Sequence, residues 1–426
     1  MMLEKGTWQN CLEYAALSDI GLRRENNQDH LAVSLSRDVD IWQKQGHLWL
    51  VADGMGAHAA GELASKLAAD LIPTLFFKYV GLGAVEALRR AFLEANAEVF
   101  RRGRANPEFY NMGTTATVLV LLPEGVYYGH VGDSRAYRLR DKQFAQWTRD
   151  HSVVWELRER PEYRGNAHDL AGIPKNWITR SIGPSEELEP DISGPFEVLP
   201  GDTYLLCTDG LTGRVSDEEI AAVVGNYPPQ AAVKILCDLA NLRGGQDNTT
   251  VAVVHLREPL PEVAAEPRPA PPPVPARRLD RTSPLPIGWI LSAVCLLGSL
   301  IVLIMNLLIP AVVLLLGAAA LAIAQWARKK SPAVRRATSD SPIGPFVEVP
   351  APDVTEAAQK LLAIAREARL EARQTGWEED VPSLDEMERE VESAVKGRRY
   401  REALDAAAAL VHELAERQRV FFKRYY

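Results

Sequence analysis

Cysteine is scarce in this chain of 426 residues, and its four cysteines lie far apart. Their spacing gives neither a zinc-binding Cys-x-x-Cys arrangement nor a disulfide framework, so we expect a reducing compartment. The amino-terminal stretch MMLEKGTWQNCLEYAALSD lacks the long apolar core and the small-residue cleavage pattern of a secretory signal. We therefore expect the first part of the chain to remain in the cytoplasm.

Positive charge is also limited. The formal net charge is −8, and the sequence has no basic stripe interleaved with aromatic residues. Binding to a phosphate backbone requires a basic surface, so nucleic acid is not an expected partner. The charged fraction of 24% and the hydrophobic fraction of 47% are ordinary for a folded protein. The length allows two or three domains.

Composition divides the chain into five segments. Residues 1–258 alternate short apolar runs with helical periodicity, which predicts a mixed α and β domain. Dense proline makes residues 259–286 a linker in extended conformation. Residues 287–326 carry no charge, residues 327–352 form a second linker that is basic and contains proline, and residues 353–426 show helical periodicity.

The uncharged run from Ile287 to Trp326 exceeds the ~18-residue length of one membrane span about twofold. As one straight helix it would be roughly 60 Å long, about twice the ~30 Å hydrocarbon core of a bilayer. Asn306 and Pro310 near its midpoint favour a turn, and arginine or lysine clusters flank both ends. These features predict a two-span helical hairpin in the cell membrane, with both flanking regions in the cytoplasm.

Aspartates stand at the ends of predicted strands in the first segment. Asp53, Asp133 and Asp209 each follow an apolar strand. Asp247 precedes another strand, and Asp29 closes the stretch SDIGLRRENNQD. One aspartate before glycine is usually a turn residue. Several carboxylates gathered at one end of a sheet would repel one another, and each would need a cation.

The residue types restrict which cation this is. Carboxylate oxygens suit hard divalent ions such as Mg²⁺ or Mn²⁺, and the sequence has no cluster of cysteine and histidine that would favour zinc. Two such ions about 3.5 to 4 Å apart are a known device for phosphoryl chemistry. Arg23 and Arg24 precede Asp29, and guanidinium groups bind phosphate well, although position alone favours exposed surface charge for both.

Seven stretches resemble, in order, the motifs of the bacterial metal-dependent protein phosphatases of type 2C. They are SDIGLRRENNQD, VADGMGAHAAGELAS, MGTTATVLVL, HVGDSRAYRLRDKQFAQWTRDHS, ITRSIG, LLCTDGL and GGQDNTTVAVV. The resemblance covers about residues 12–256. It implies an α+β fold, a four-layer α-β-β-α sandwich of two antiparallel sheets flanked by helices. It also implies metal-dependent hydrolysis of phosphoserine and phosphothreonine in proteins, which reverses a bacterial Ser/Thr kinase in signalling.

The resemblance also implies a set of metal ligands for two core ions, Mn²⁺ or Mg²⁺, and a third, weaker ion. Asp53 would bridge the core ions, and Asp133 with Asp209 would hold the third. The full set is Asp29, Asp53, Gly54 through its carbonyl, Asp133, Asp209 and Asp247.

The same resemblance assigns two catalytic residues. Arg24 matches the phosphate-binding arginine of the family and Arg23 does not. His58 would help protonate the leaving group, while a purely structural role for this histidine stays open. The chain departs from the family pattern in having Gly-Ala-His at 56–58 in place of Gly-Gly-His, and in the segment 153–177, which corresponds to a variable flap.

Three other interpretations compete. The first is a catalytically silent, membrane-tethered scaffold that binds phosphoproteins, although such a protein has no need of five clustered acids. The second is a cysteine phosphatase built on Cys207 and Arg214, but their spacing is C-x6-R where that chemistry needs C-x5-R. The third is a nucleotide site at Gly54, Gly56 and Gly61, whose spacing is not G-x-G-x-x-G.

Overall fold

A computed structural model describes residues 2–56, 59–159, 173, 177–261, 344–375 and 382–425. Among these residues, no helix has both the length and the apolar character to cross a bilayer. The predicted hairpin over 287–326 and the implied catalytic residue His58 both lie outside the described ranges.

The apolar runs of the first segment form antiparallel strands. The described strands are β1 Met2–Trp8, β2 Leu12–Asp19, β3 Asp29–Ser34, β4 His47–Met55, β5 Gly113–Thr114, β6 Ala116–Leu122, β7 Gly125–Val131, β8 Arg135–Arg140, β9 Gln143–Gln146, β10 Asp191–Phe196, β11 Thr203–Cys207, β12 Thr249–Leu256 and β13 Val347–Pro350.

Segments with an apolar stripe at helical spacing form helices. The described α-helices are α1 Val39–Gln45, α2 Ala59–Tyr79, α3 Ala84–Ala105, α4 Val153–Glu159, α5 Asp209–Thr212, α6 Asp217–Val224, α7 Pro229–Leu242, α8 Val354–Thr375, α9 Pro382–Lys396 and α10 Tyr400–Tyr425. Ser216 followed three residues later by Glu219 is a sequence pattern that predicts a capping box, and the structure has this capping box at the start of α6.

The strands form two sheets. The first has the order β1-β2-β12-β11-β8-β9-β13, and the second has the order β10-β7-β6-β4-β3, with β5 paired to β4. Aromatic and aliphatic side chains from both sheets form a shared core that includes Trp49, Tyr128 and Tyr204. Helices α2 and α3 cover the outer face of the second sheet, and α6 and α7 cover that of the first. The predicted arrangement of two antiparallel sheets flanked by helices is confirmed.

Residues 344–375 and 382–425, here called the C-terminal module, pack on the same folded unit. Strand β13 pairs with β9 and becomes the edge of the first sheet, so the segment predicted as a linker over 327–352 contains a strand. Helices α8 and α10 contact α6 and α7. Leu361, Leu404 and Leu414 are almost fully buried in a core shared with α6 and α7. Burying one such leucine contributes about 1.5–3 kcal/mol.

Candidate metal centre

The acids predicted to bind metal come together where strands of the two sheets end. Asp29 begins β3 and lies directly opposite Asp53 in the β3–β4 register. The hydroxyl of Thr208, at the end of β11, donates to Asp29 Oδ2 over 2.8 Å, which joins the two sheets at this point. Asp209 follows Thr208 at the start of α5. The short helix therefore begins beside the β3–β4 pair.

Backbone hydrogen bonds fix the position of Asp53. Its N–H donates to Thr115 Oγ1 over 2.9 Å, and its carbonyl accepts from the N–H of Thr115 and the hydroxyl of Thr114, each over 2.9 Å. The N–H of Gly54 donates to the carbonyl of Gln28 over 3.1 Å. Both backbone polar groups of Asp53 are thus engaged within the fold, and its carboxylate lies beside that of Asp209.

Gly54 and Gly210 occupy places where a side chain has no room. A β-carbon on Gly54 would overlap the carbonyl of Gly61 and would lie 2.6 Å from the carbonyl oxygen of Gln28. A β-carbon on Gly210 would overlap the carbonyl of Asn248. The two Asp-Gly pairs therefore allow the backbone around Asp53 and Asp209 to approach neighbouring chain segments closely.

Asn248 is a structural residue of the site to which the sequence motifs gave no role. Its side-chain amide donates to the carbonyls of Ile20 and Asn26 over 2.8 and 3.1 Å, and its Oδ1 accepts from the N–H of Gln28 over 2.8 Å. One side chain thus holds both ends of the loop between β2 and β3. It stands next to Asp247 in the quoted stretch GGQDNTTVAVV, which is the signal that could have identified it.

A buried ion pair to which the sequence motifs gave no role lies near Asp133 and acts on it by charge. Arg135 Nη2 lies 2.7 Å from Asp150 Oδ2, and both side chains are largely buried. Thr115 Oγ1 and Ser134 Oγ lie 2.8 Å apart between the β4 end and the Asp133 turn. Both Arg135 and Asp150 fall inside the motif stretch that contains Asp133, so their presence was visible but their pairing was not.

Burial and mutual repulsion disfavour charge on these carboxylates. Burial raises the pKa of Asp29 to about 7, and the charges of Asp209 and Asp247 raise it further. Hydrogen bonds from Thr250 and Thr208 act in the opposite direction and lower this pKa. Burial followed by the neighbouring carboxylates also raises the pKa of Asp53 and Asp133 well above the usual range. The cluster is electrostatically unfavourable by itself, and a bound cation would reverse this.

The chemistry of the cluster fits a hard divalent cation. Asp29 Oδ1 and Asp133 Oδ1 are buried and have no hydrogen-bond partner in the described structure. The candidate side-chain donors are all carboxylate oxygens, as Mg²⁺ and Mn²⁺ prefer. Within the described ranges, no three acidic, histidine or cysteine side chains converge tightly enough to form a complete metal site. The acids influence one another by charge across the site, and the individual ligand roles stay predictions.

The two arginines of the β2–β3 loop have different partners. Arg24 Nη2 lies 2.9 Å from Asp247 Oδ2, and both side chains are about two-fifths exposed. The guanidinium of Arg23 lies 4.6 Å from the centre of the Phe422 ring, in the C-terminal module. Of the two, Arg24 is therefore the one beside the acidic cluster, while Arg23 faces α10, and the phosphate-binding role of Arg24 stays a prediction.

The chain has two antiparallel sheets flanked by helices with acidic residues at the strand ends, and its similarity to known proteins identifies the family. The family described as Protein phosphatase 2C matches residues 23–243. The chain belongs to this family. Protein phosphatase PhpP of Streptococcus pneumoniae is 34% identical over 251 residues, which cover 58% of this chain and 98% of the relative. Serine/threonine protein phosphatase PstP of Mycobacterium tuberculosis is 34% identical over 245 residues, covering 58% of this chain and 45% of the relative.

Solved structures of bacterial phosphatases are similar to this chain. The M. tuberculosis phosphatase PstP/Ppp is 35% identical with a TM-score of 0.51 and covers 58% of this chain and 100% of the solved one. The catalytic domain of PstP in complex with two manganese ions is 34% identical with a TM-score of 0.50, covering 58% and 99%. The family match ends at residue 243, so the C-terminal module lies outside it.

Proposed function

We propose that this chain is a Mn²⁺- or Mg²⁺-dependent protein phosphatase that hydrolyses phosphoserine and phosphothreonine and reverses a bacterial Ser/Thr kinase. The observation that carries the proposal is the acidic cluster at the strand ends, with the buried, unpartnered oxygens of Asp29 and Asp133. Membership of the protein phosphatase 2C family supports the reaction class. The two manganese ions in the PstP catalytic domain support the choice of metal.

Each proposed ligand keeps the role that the family resemblance implies. Asp29, Asp53, the carbonyl of Gly54, Asp209 and Asp247 would hold two core ions, and Asp133 with Asp209 would hold a third. When bound, the core ions would supply a water of lowered pKa as the nucleophile at neutral pH.

The remaining chemistry falls to the protein. The Arg24 guanidinium would bind the substrate phosphate, for which its planar donors are suited. Its ion pair with Asp247 holds it beside the acids in the absence of substrate. His58 would donate a proton to the serine or threonine oxygen that leaves.

Replacing Asp209 with Asn tests the metal proposal, because this acid is assigned to two ion sites and Asn keeps its shape without its charge. We expect the full-length variant to lose at least the ~10- to 100-fold that outer-shell changes at metal sites cost. The measurement is turnover of phosphoserine and phosphothreonine peptides in Mn²⁺, with Asp70→Asn on the exposed face of α2 as the control. Wild-type turnover that survives excess chelator would refute the metal mechanism.

The same assay separates the enzyme from the scaffold alternative. A silent scaffold would bind the phosphopeptides and release them unchanged, with or without metal. The clustered acids favour the enzyme, since buried carboxylates without a compensating charge are costly to keep.

We further propose that residues 287–326 anchor the protein in the cell membrane as a two-span hairpin, between the proline-rich linker 259–286 and the segment that leads into β13. The catalytic domain, residues 1–258, and the helical region, residues 353–426, would then both lie in the cytoplasm. The support is the uncharged run with its basic flanks. A second support is that the C-terminal module packs on the same unit as the catalytic domain. A chain that leaves one folded unit and returns to it crosses a membrane an even number of times.

A further inference from the structure

Helix α10 reaches the loop that carries Arg24. This loop, residues 20–28 between β2 and β3, is called the arginine loop below. Arg419 on α10 is mostly buried, with 15% of its side chain exposed, and its Nη2 lies 2.8 Å from Asp238 Oδ1 on α7. The same nitrogen lies 3.5 Å from Asp19 Oδ2 at the end of β2. One guanidinium thus links the C-terminal module to both a helix and a strand of the catalytic domain.

Asp19 also contacts the start of the arginine loop. Its Oδ1 accepts from the N–H of Gly21 over 2.8 Å and from the side chain of Asn241 over 3.2 Å. Gly21 has a φ of +80°, and a β-carbon on it would overlap the carbonyl of Asp247. The N–H of Leu22 donates to the carbonyl of Gly245 over 2.7 Å. The start of the loop is therefore held between Asp19 and the segment that leads to Asp247.

A second contact lies closer to Arg24. The half-buried ring of Phe422, one turn beyond Arg419 on α10, packs under the guanidinium of Arg23 at 4.6 Å. Arginine over an aromatic face is an attractive arrangement. Arg24, the next residue, points its own guanidinium to Asp247. Arg23 therefore contacts the C-terminal module, whereas Arg24 contacts the acidic cluster.

We propose that the C-terminal module positions the arginine loop, with Arg419 and Phe422 as positioning residues that act on substrate phosphate binding through Asp19 and Arg23. Removing the Arg419 guanidinium leaves the buried Asp19 without its cation, while Asp238 keeps its hydrogen bond with His412 Nδ1 at 2.7 Å. Asp19 is then driven toward water, and the Gly21 N–H that it holds is released. The proposal rests on the proposed function, in which Arg24 binds the phosphate.

Two variants of the full chain in detergent test the proposal, Arg419→Gln and Phe422→Ala. The matched control is Arg417→Gln, since Arg417 lies on the same helix, is partly exposed and pairs only along that helix with Glu413 in the described contacts. We expect KM for a phosphothreonine peptide to rise about 3- to 10-fold in both variants, with kcat within about twofold of wild type. Hydrogen–deuterium exchange of the 20–28 backbone should accelerate in both variants and stay at the wild-type rate in the control.

The outcomes separate positioning from general stability. A lower Tm in either variant with an unchanged KM and unchanged exchange in residues 20–28 would mean that α10 is only structural, and would overturn the proposal. An equal rise of KM in Arg417→Gln would overturn it as well. If wild-type protein fails to hydrolyse the peptide, the proposed function fails. The exchange measurement still decides whether α10 holds the loop.

Discussion

At the scale of single residues, the candidate site gathers carboxylates whose charges oppose one another in a largely buried space. Asp29, Asp53 and Asp133 all have a raised pKa for which burial is the first cause and neighbouring acids a further one. Arg24 is the cation beside them, paired to Asp247 at the partly exposed rim. Substrate phosphate would enter between this arginine and the acids.

Arg24→Ala should weaken phosphate binding and leave metal binding largely intact, because the guanidinium is assigned to the substrate. Loss of hydrogen bonds to a charged group predicts a fall in kcat/KM of roughly 10- to 100-fold. The measurements are peptide kinetics and a Mn²⁺ titration of each variant. Arg89→Ala, which removes an exposed arginine from α3, is the control and should match wild type. Unchanged kinetics in Arg24→Ala would show that the family motif has been aligned to the wrong residue.

His47 gives the protein a pH dependence remote from the acids. It is fully buried beside Trp8, Trp42 and Trp49, and burial lowers its pKa to about 3. An unfolded chain binds this proton near pH 6.5, so the stability contribution is complete above that pH. It is lost as the pH falls from about 6.5 toward 3, by up to about 1.4 kcal/mol per pH unit.

Thermal unfolding of His47→Gln between pH 7.5 and pH 5 tests this dependence. Glutamine retains an acceptor for the N–H of Ser36, which donates to His47 Nδ1 over 3.0 Å. We expect Tm to fall less steeply on acidification in the variant than in wild type. Parallel Tm curves would assign the acid sensitivity to other groups.

The sequence indicated that several aspartates stand at strand ends, but it did not indicate the contacts around them. An aspartate at the end of an apolar strand is visible locally, and a sheet brings strand ends together. The bond from Thr208 to Asp29 joins residues distant in sequence and on different sheets, and no local pattern indicates it. The pairing of Arg419 with Asp238 depends in the same way on where a distant helix packs.

At the scale of elements, Gly54 allows the end of β4, the start of α2 and the arginine loop to meet. Gly54→Ala should lower the free energy of unfolding by about 1–3 kcal/mol, as overpacking does, and should reduce activity by displacing the Gly54 carbonyl. Denaturant unfolding and the peptide assay measure the two effects.

Gly81→Ala is the matched control for Gly54→Ala. It lies in the turn after α2, and a β-carbon there would meet nothing within 4 Å. At such a site alanine is neutral or stabilises by about 0.4–1 kcal/mol, because it restricts the unfolded chain. Equal destabilisation by the two substitutions would contradict the packing argument.

Strands with a clear apolar run could be predicted from the sequence, whereas strands rich in polar residues, glycine or proline could not. The runs that became β6, β11 and β12 are mostly apolar; β6 and β11 are buried throughout, and in β12 only His255 is partly exposed. β10 contains Gly-Pro in the sequence DISGPF, which argues against a strand, and it is tolerated at the edge of the second sheet. β1 is half polar and also occupies an edge, where one side of its backbone needs no partner strand.

At the scale of the whole molecule, the two-span proposal makes a direct prediction of topology. A periplasm-active alkaline phosphatase reporter inserted near Asn306 should be active, and the same reporter fused after Tyr426 should be silent. Positive charge on both flanks and the return of the chain to the catalytic unit both require this result. Strong activity of the Tyr426 fusion would place the C-terminal module across the membrane and refute the hairpin.

The packing partner of the C-terminal module could not be predicted from the sequence. The apolar faces of its last two helices were visible in the sequence, and Leu384, Val391, Leu404 and Val411 on those faces are fully buried. An apolar helical stripe predicts that something covers it, but does not identify the partner. Here α6 and α7 of the catalytic domain cover these faces, and the hydroxyl of Tyr227, between the two helices, donates to the carbonyl of Leu404 over 2.7 Å.

The continuity of the chain has a consequence for how the C-terminal module stays docked. Ninety residues connect β12 with β13, so the docking is an intramolecular event. The effective concentration of a tethered partner depends on tether length and not on how much protein is present, so dilution leaves the module in place. One cut in that connection would make docking bimolecular. A protease that cut the chain between β12 and β13 would leave every contact residue intact. At low protein concentration α10 would then dissociate from the arginine loop.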